Sequence, residues 1–108
     1  MANKFGKDVL IQAWEPQKTV RFYVDQLGFA ITEETADLVA LEGPNINLYI
    51  ERGAKLGPIL EVTVNDVDEA KKRLQELGCY IIKDEPKVPC CYIQDMNGLI
   101  YNLTTREL

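Results

Sequence analysis

The chain of 108 residues contains no histidine and no serine. Without imidazole, Ser-His-Asp triads, Cys-His dyads and histidine metal sites are excluded. Without serine the commonest hydroxyl nucleophile is gone as well. The three cysteines, Cys79, Cys90 and Cys91, cannot all pair within the chain, and their spacing matches no zinc pattern. Cys90 and Cys91 lie in a strand-like run and read as small buried apolar residues of a reducing cytosol. A nucleophilic cysteine is the alternative, with no histidine to activate it. No apolar run is long enough to span a bilayer, and the polar stretch 1–8 is no signal peptide, so a cytoplasmic protein without a membrane partner is expected. Basic residues are scarce and scattered, 12 against 17 acidic, for a net charge of -5. Phosphate neutralisation needs clustered Lys and Arg, so a nucleic-acid partner is not expected. The acidic balance suits solubility, and suits a neutral or cationic ligand better than a phosphate-rich one.

What the chain does have is a repeat. Leu27-Gly28-Phe29-Ala30-Ile31 closes one amphipathic helix pattern, and Leu77-Gly78-Cys79-Tyr80-Ile81 closes another fifty residues later. The apolar beats upstream correspond, Val20, Val24 and Leu27 against Ala70, Leu74 and Leu77. Such self-similarity means two copies of one supersecondary unit. Alternation over 8–13 predicts a strand, and Glu15-Pro16 opens a helix that stops at Gly28. Strands follow near 29–34, 38–42 and 46–51. The second pass predicts a strand at 59–64, a helix capped by Asn65-Asp66 and running to Leu77, and strands near 79–84, 90–94 and 99–104. The expected fold is α+β, a single domain over 1–108. Module one spans about 8–51, a link covers 52–58, and module two spans about 59–105, each in the order βαβββ.

The segments Val20-Arg21-Phe22-Tyr23 with Gln26-Leu27-Gly28-Phe29, Val64-Asn65-Asp66-Val67-Asp68-Glu69-Ala70, and Asp95-Met96-Asn97-Gly98 carry a family resemblance. In this order on a paired βαβββ chain, they resemble the vicinal oxygen chelate superfamily of glyoxalase I, extradiol dioxygenases, fosfomycin-resistance enzymes and bleomycin-binding resistance proteins. The resemblance covers about 8–105. It implies a curved half-barrel sheet with helices on its outer face, and a homodimer. It also implies four inward positions that bind a metal in the metal-dependent members. Counting back seven from Glu15 and from Asp66 places two of them at Asp8 and Ile59, and the last strands supply Tyr49 and Asn102. Only Asp8 suits a hard metal, so no metal and no cofactor are expected. A register shift that brings in Glu51 or Glu61 gives the rival reading, a metal-dependent lyase, isomerase or dioxygenase with a carboxylate-rich site.

Strand alternation assigns faces without the family. Val9, Ile11 and Ala13, with Ile46, Leu48 and Ile50, with Leu60, Val62 and Val64, and with Leu99, Tyr101 and Leu103, form an aliphatic side suited to the helices. The other side mixes polar and apolar groups: Asp8, Leu10 and Gln12; Asn47, Tyr49 and Glu51; Ile59, Glu61 and Thr63; Ile100, Asn102 and Thr104. A solvated sheet face has this look, and so does the wall of a pocket for a polar organic molecule. The candidate ligand-binding residues are Asp8, Gln12, Tyr49, Glu51, Glu61, Tyr92 and Asn102, with Asp8 and Glu61 also weighed as an acid/base pair. Trp14, at the strand-to-helix corner, is expected to pack on the helix or a dimer partner. The leading expectation is a small-molecule binding protein of the glyoxalase/bleomycin-resistance type that binds or sequesters a neutral or cationic organic ligand without metal. An interaction protein with a vestigial cleft is the third reading.

Overall fold

Two apolar stripes organise the molecule. A computed structural model describes residues 4–85 and 90–105. The element order is β1 (Lys4–Ala13), α1 (Pro16–Leu27), β2 (Ala30–Glu34), β3 (Leu38–Glu42), β4 (Asn47–Arg52), β5 (Leu56–Thr63), α2 (Val67–Glu76), β6 (Tyr80–Glu85), β7 (Cys90–Gln94) and β8 (Ile100–Thr104). Among the described residues the fold is α+β, with eight strands and two helices in the order that the sequence predicts. β1 and β5 both start earlier than their alternation suggests, β5 within the stretch read as a link. No helix among the described residues is long and apolar enough to cross a membrane.

Packing divides the chain into two compact units. The first spans Lys7–Pro58. In it β1 pairs parallel with β4, β4 antiparallel with β3, and β3 antiparallel with β2. Helix α1 starts at Pro16, whose missing N–H is harmless in a first turn. Glu15 caps it without a side-chain hydrogen bond, and its carboxylate instead pairs with Lys18 at 3.1 Å. Gly28 ends it in the left-handed region at φ 78°, a conformation a side chain disfavours. The core consists of Ala13, Val20, Val39, Leu41, Leu48 and Ile50, with Val9, Ile11, Tyr23, Val24 and Phe29 packed against it. Period two on the strands and 3.6 on the helix thus meet on one side of the sheet, as their residue spacing requires.

The second unit comprises Ile59–Leu108 with Met1–Gly6. It uses the same pairings: β5 parallel with β8, and β8, β7 and β6 antiparallel in turn. Asp66 caps α2 by accepting the Glu69 N–H at 3.2 Å, and Asp68 and Glu69 place negative charge in the first turn. Val62, Val64, Ala70, Cys91, Ile93 and Leu103 form the core. Both edge strands carry a bulge, between Ile31 and Glu33 in β2 and between Ile81 and Lys83 in β6. Trp14, at the corner between β1 and α1, is 66% exposed.

Candidate functional site

Most residues of the aliphatic sides pack in the cores that the helices cover, so the mixed sides face away from them; Ile46 and Leu99, expected on the aliphatic side, lie just outside β4 and β8 and are 42% and 37% exposed. In the unit Lys7–Pro58 three rows cross β1 and β4: Asp8 opposite Asn47, Leu10 opposite Tyr49, and Gln12 opposite Glu51. The outer rows are tied. The Asn47 amide donates to the Asp8 carboxylate at 3.1 Å, and the Gln12 amide donates to Glu51 at 2.9 Å. Leu10 and Tyr49 lie between them. All six are partly buried. Gly53 makes room for the second tie, because a Cβ there would come within 3.2 Å of the Gln12 amide.

In the second unit, Glu61 lies opposite Asn102 and Asn102 opposite Tyr92. Asn102 accepts the Cys91 N–H at 3.0 Å, which fixes its amide. Tyr92 is 5% exposed and forms a buried wall. The seven residues predicted from sequence therefore fall into two groups, Asp8, Gln12, Tyr49 and Glu51 in one unit and Glu61, Tyr92 and Asn102 in the other.

Three features escaped sequence reasoning. Asn47 shares the face of Tyr49, and its place opposite Asp8 depends on a register that only the fold sets. A cavity of about 350 Å³ in the first unit is lined by Ile11, Gln12, Tyr23 and the stretch Lys55-Leu56-Gly57-Pro58. Lys55 and Leu56 enter it from the stretch read as a link, which carries no periodicity to reveal it. Lys83 on β6, which lies opposite Tyr92, is the third, and the bulge before it hides its facing.

Burial, and then Asp84 nearby, push the Cys91 thiol up, so the neutral form is favoured and the thiol is a poor nucleophile. Asp95 anchors the 95–98 turn. It accepts N–H groups from Asn97 and Leu99 and the hydroxyl of Tyr101. The Tyr101 hydroxyl is the chief cause that lowers the Asp95 carboxyl, while burial and then Asp95 raise Tyr101 well above its ordinary value. The lowered acid contributes stability above its ordinary value of 3.8, lost as pH falls through the depressed one. The raised phenol contributes below its ordinary value of 10.0, lost as pH rises beyond it. The melting-temperature gap between the wild type and Tyr101→Phe should therefore form a plateau at neutral pH. It should shrink below about pH 4 and above about pH 10. A gap that is flat across both limbs would contradict this assignment.

The metal positions implied by the resemblance do not suit an ion. Ile59 is 1% exposed and has no donor atom, Asn102 offers a neutral amide whose oxygen accepts the Cys91 N–H, and Asp8 is the one carboxylate among the four. Among the described residues no three His, Cys, Asp or Glu side chains converge as a metal site. The residues present do not fit the ion of the metal-dependent members.

No curated protein matches the chain significantly. Solved structures do. The chain superposes on a hypothetical protein from Bacillus halodurans C-125 with a TM-score of 0.65 and 16% identity, covering 100% of this chain and 97% of that one. It is similar to a glyoxalase/bleomycin resistance protein/dioxygenase superfamily member from Vibrio splendidus 12B01, with a TM-score of 0.62, 17% identity, and coverage of 95% and 100%. A variant of homoprotocatechuate 2,3-dioxygenase from B. fuscum gives a TM-score of 0.59 at 25% identity, over 93% of this chain but only 31% of that protein. The first two report the fold alone. The model of the Glyoxalase/Bleomycin resistance protein/Dioxygenase superfamily matches residues 8–96, so the repeat, the pairing pattern and the sequence agree, and the chain belongs to that superfamily.

Proposed function

We propose that the protein binds a small organic molecule, neutral or cationic, on the mixed side of its strands without a metal. The observation that carries this reading is the Asp8–Asn47 and Gln12–Glu51 pair of ties on either side of Leu10 and Tyr49. An apolar and aromatic strip between fixed hydrogen-bonding groups is what recognition of a polar organic ligand needs. The carboxylates Asp8 and Glu51 favour positive charge, and each is already oriented, so less order is lost on binding. Family membership supports the reading at the level of the fold, which hosts several chemistries, and the residues at the family's metal positions weigh against metal-dependent catalysis.

The functional form is a homodimer, in our reading. Phe5, Trp14 and Phe22 are 64%, 66% and 56% exposed, and edge strands β2 and β6 present Ile31 and Tyr80. Apolar surface and open edges of this kind invite a partner. The three cysteines are free thiols, which suits a reducing cytoplasm. Two measurements test the proposal. A thermal-melt screen of organic amines and neutral heterocycles should yield compounds that raise the melting temperature, and Glu51→Gln should reduce the shift given by the amines more than that given by neutral compounds. Sedimentation at micromolar concentration should return twice the chain mass. A screen in which only anions stabilise the protein would overturn the ligand class, and a monomer would overturn the assembly.

A further inference from the structure

One row of the second unit crosses all four of its strands. Glu61 on β5 lies opposite Asn102 on β8, Asn102 opposite Tyr92 on β7, and Tyr92 opposite Lys83 on β6. The row therefore reads acid, amide, aromatic, base. Its ends are three strand spacings apart, about 14 Å between Cα positions.

The basic end is there because of the bulge. Ile81 pairs with Ile93 on the helix side and packs against its core. Uninterrupted alternation would turn Lys83 to that same side. The extra residue between Ile81 and Lys83 reverses the facing, so Lys83 pairs with Tyr92 and Asp84 takes the helix side opposite Cys91. Two contacts confirm the reversal. The Lys83 ammonium lies over the Tyr92 ring, 6.0 Å from its centroid, and Asp84 bonds Lys71 of α2 at 2.6 Å. Lys71 is thus neutralised by Asp84 and Asp68, whereas Lys83 has no acidic partner within ion-pair distance among the described residues. The ring steadies the cation without cancelling its charge. The corresponding row of the first unit, Leu10, Tyr49, Ala40 and Glu33, has no base.

We infer that the ligand of this face is a zwitterion, an ammonium and a carboxylate joined by an apolar spacer, with Lys83 holding the carboxylate and Glu61 the ammonium. This rests on the binding function proposed above and narrows its ligand class. A carboxylate at Lys83 gains a charge-assisted hydrogen bond to a donor already held in place. Asn102 lies along the spacer, and the buried Tyr92 ring underlies the Lys83 ammonium.

The test uses three matched probes, 4-(aminomethyl)benzoate, benzylamine and benzoate, with the wild-type protein, Lys83→Met, Lys83→Arg and Glu61→Gln, read by calorimetry. The wild type should bind the zwitterion about three- to tenfold more tightly than benzylamine. Lys83→Met keeps the stem over Tyr92 but should erase that preference without weakening benzylamine, since it removes a like charge. Lys83→Arg should retain the preference, and Glu61→Gln should weaken both amines. Equal affinity of the wild type for the zwitterion and for benzylamine would overturn the inference and leave the proposed function standing. Binding of benzoate alone, or of none of the three at millimolar concentration, would overturn both.

Discussion

Replacing Ile50 with alanine is expected to destabilise the protein by about 2–5 kcal/mol, the usual cost of truncating a core aliphatic side chain. Ile50 is 0% exposed and sits in the core that α1 covers, among Val20, Val39 and Leu48. The neighbours that would have to collapse into the gap belong to three strands and a helix, which cannot all shift together, so a cavity remains. Its neighbour in sequence should behave differently. Tyr49 points to the opposite side of β4, lies outside that core and is only partly buried. Tyr49→Ala should reduce ligand affinity and leave the fold in place. Chemical denaturation of both variants, with a compound from the screen present and absent, checks the pair. A stable Ile50→Ala beside an unfolded Tyr49→Ala would invert the assignment of faces and, with it, the candidate site.

Gly57→Ala is expected to cost about 3 kcal/mol, although it adds one methyl group. Two effects act together. Gly57 has φ of 118°, a region open to glycine and strained for any side chain. A Cβ there would also stand 3.0 Å from the Leu10 carbonyl oxygen and 3.1 Å from the Ile11 Cα, and those are backbone atoms that cannot rotate away. Gly28→Ala provides the control, since it has a left-handed φ of 78° and nothing within 4 Å of an added Cβ. It should show only the conformational part of the loss. Denaturation midpoints of the two variants should show the larger loss at Gly57, and equal losses would show that neither its crowding nor its more extreme φ adds to the cost.

Much of this was legible in the sequence because periodicity is local. The helices at Pro16–Leu27 and Val67–Glu76, the Gly28 stop, the Asp66 cap and the sidedness of β1, β4, β5 and β8 all follow from residue spacing within a dozen positions. The ties were not legible. That Asn47 meets Asp8 and Gln12 meets Glu51 depends on pairing across 39 residues, which no local pattern encodes. Lys83 was hidden for a sharper reason. Alternation is an argument by parity, and one bulged residue reverses parity for everything after it. The same reversal in β2 puts Glu33 opposite Ala40. Lys55 and Leu56 escaped because a short connecting stretch has no period to read.

Phe5 bears on how this gene can be cut. Its ring meets Tyr101 edge-on at 6.3 Å, and with Val62, Val64, Leu74, Tyr101 and Leu103 it encloses a pocket of about 190 Å³. The repeat in the sequence suggests that a fragment beginning at Ile59 is a complete half, able to be expressed, duplicated or recombined as a cassette. Such a fragment leaves behind an aromatic side chain from the far end of the chain. A circular permutant that joins residues 1–6 onto the C-terminus of that fragment keeps the ring in the same polypeptide. The packing unit of this protein is thus offset by several residues from its unit of repetition.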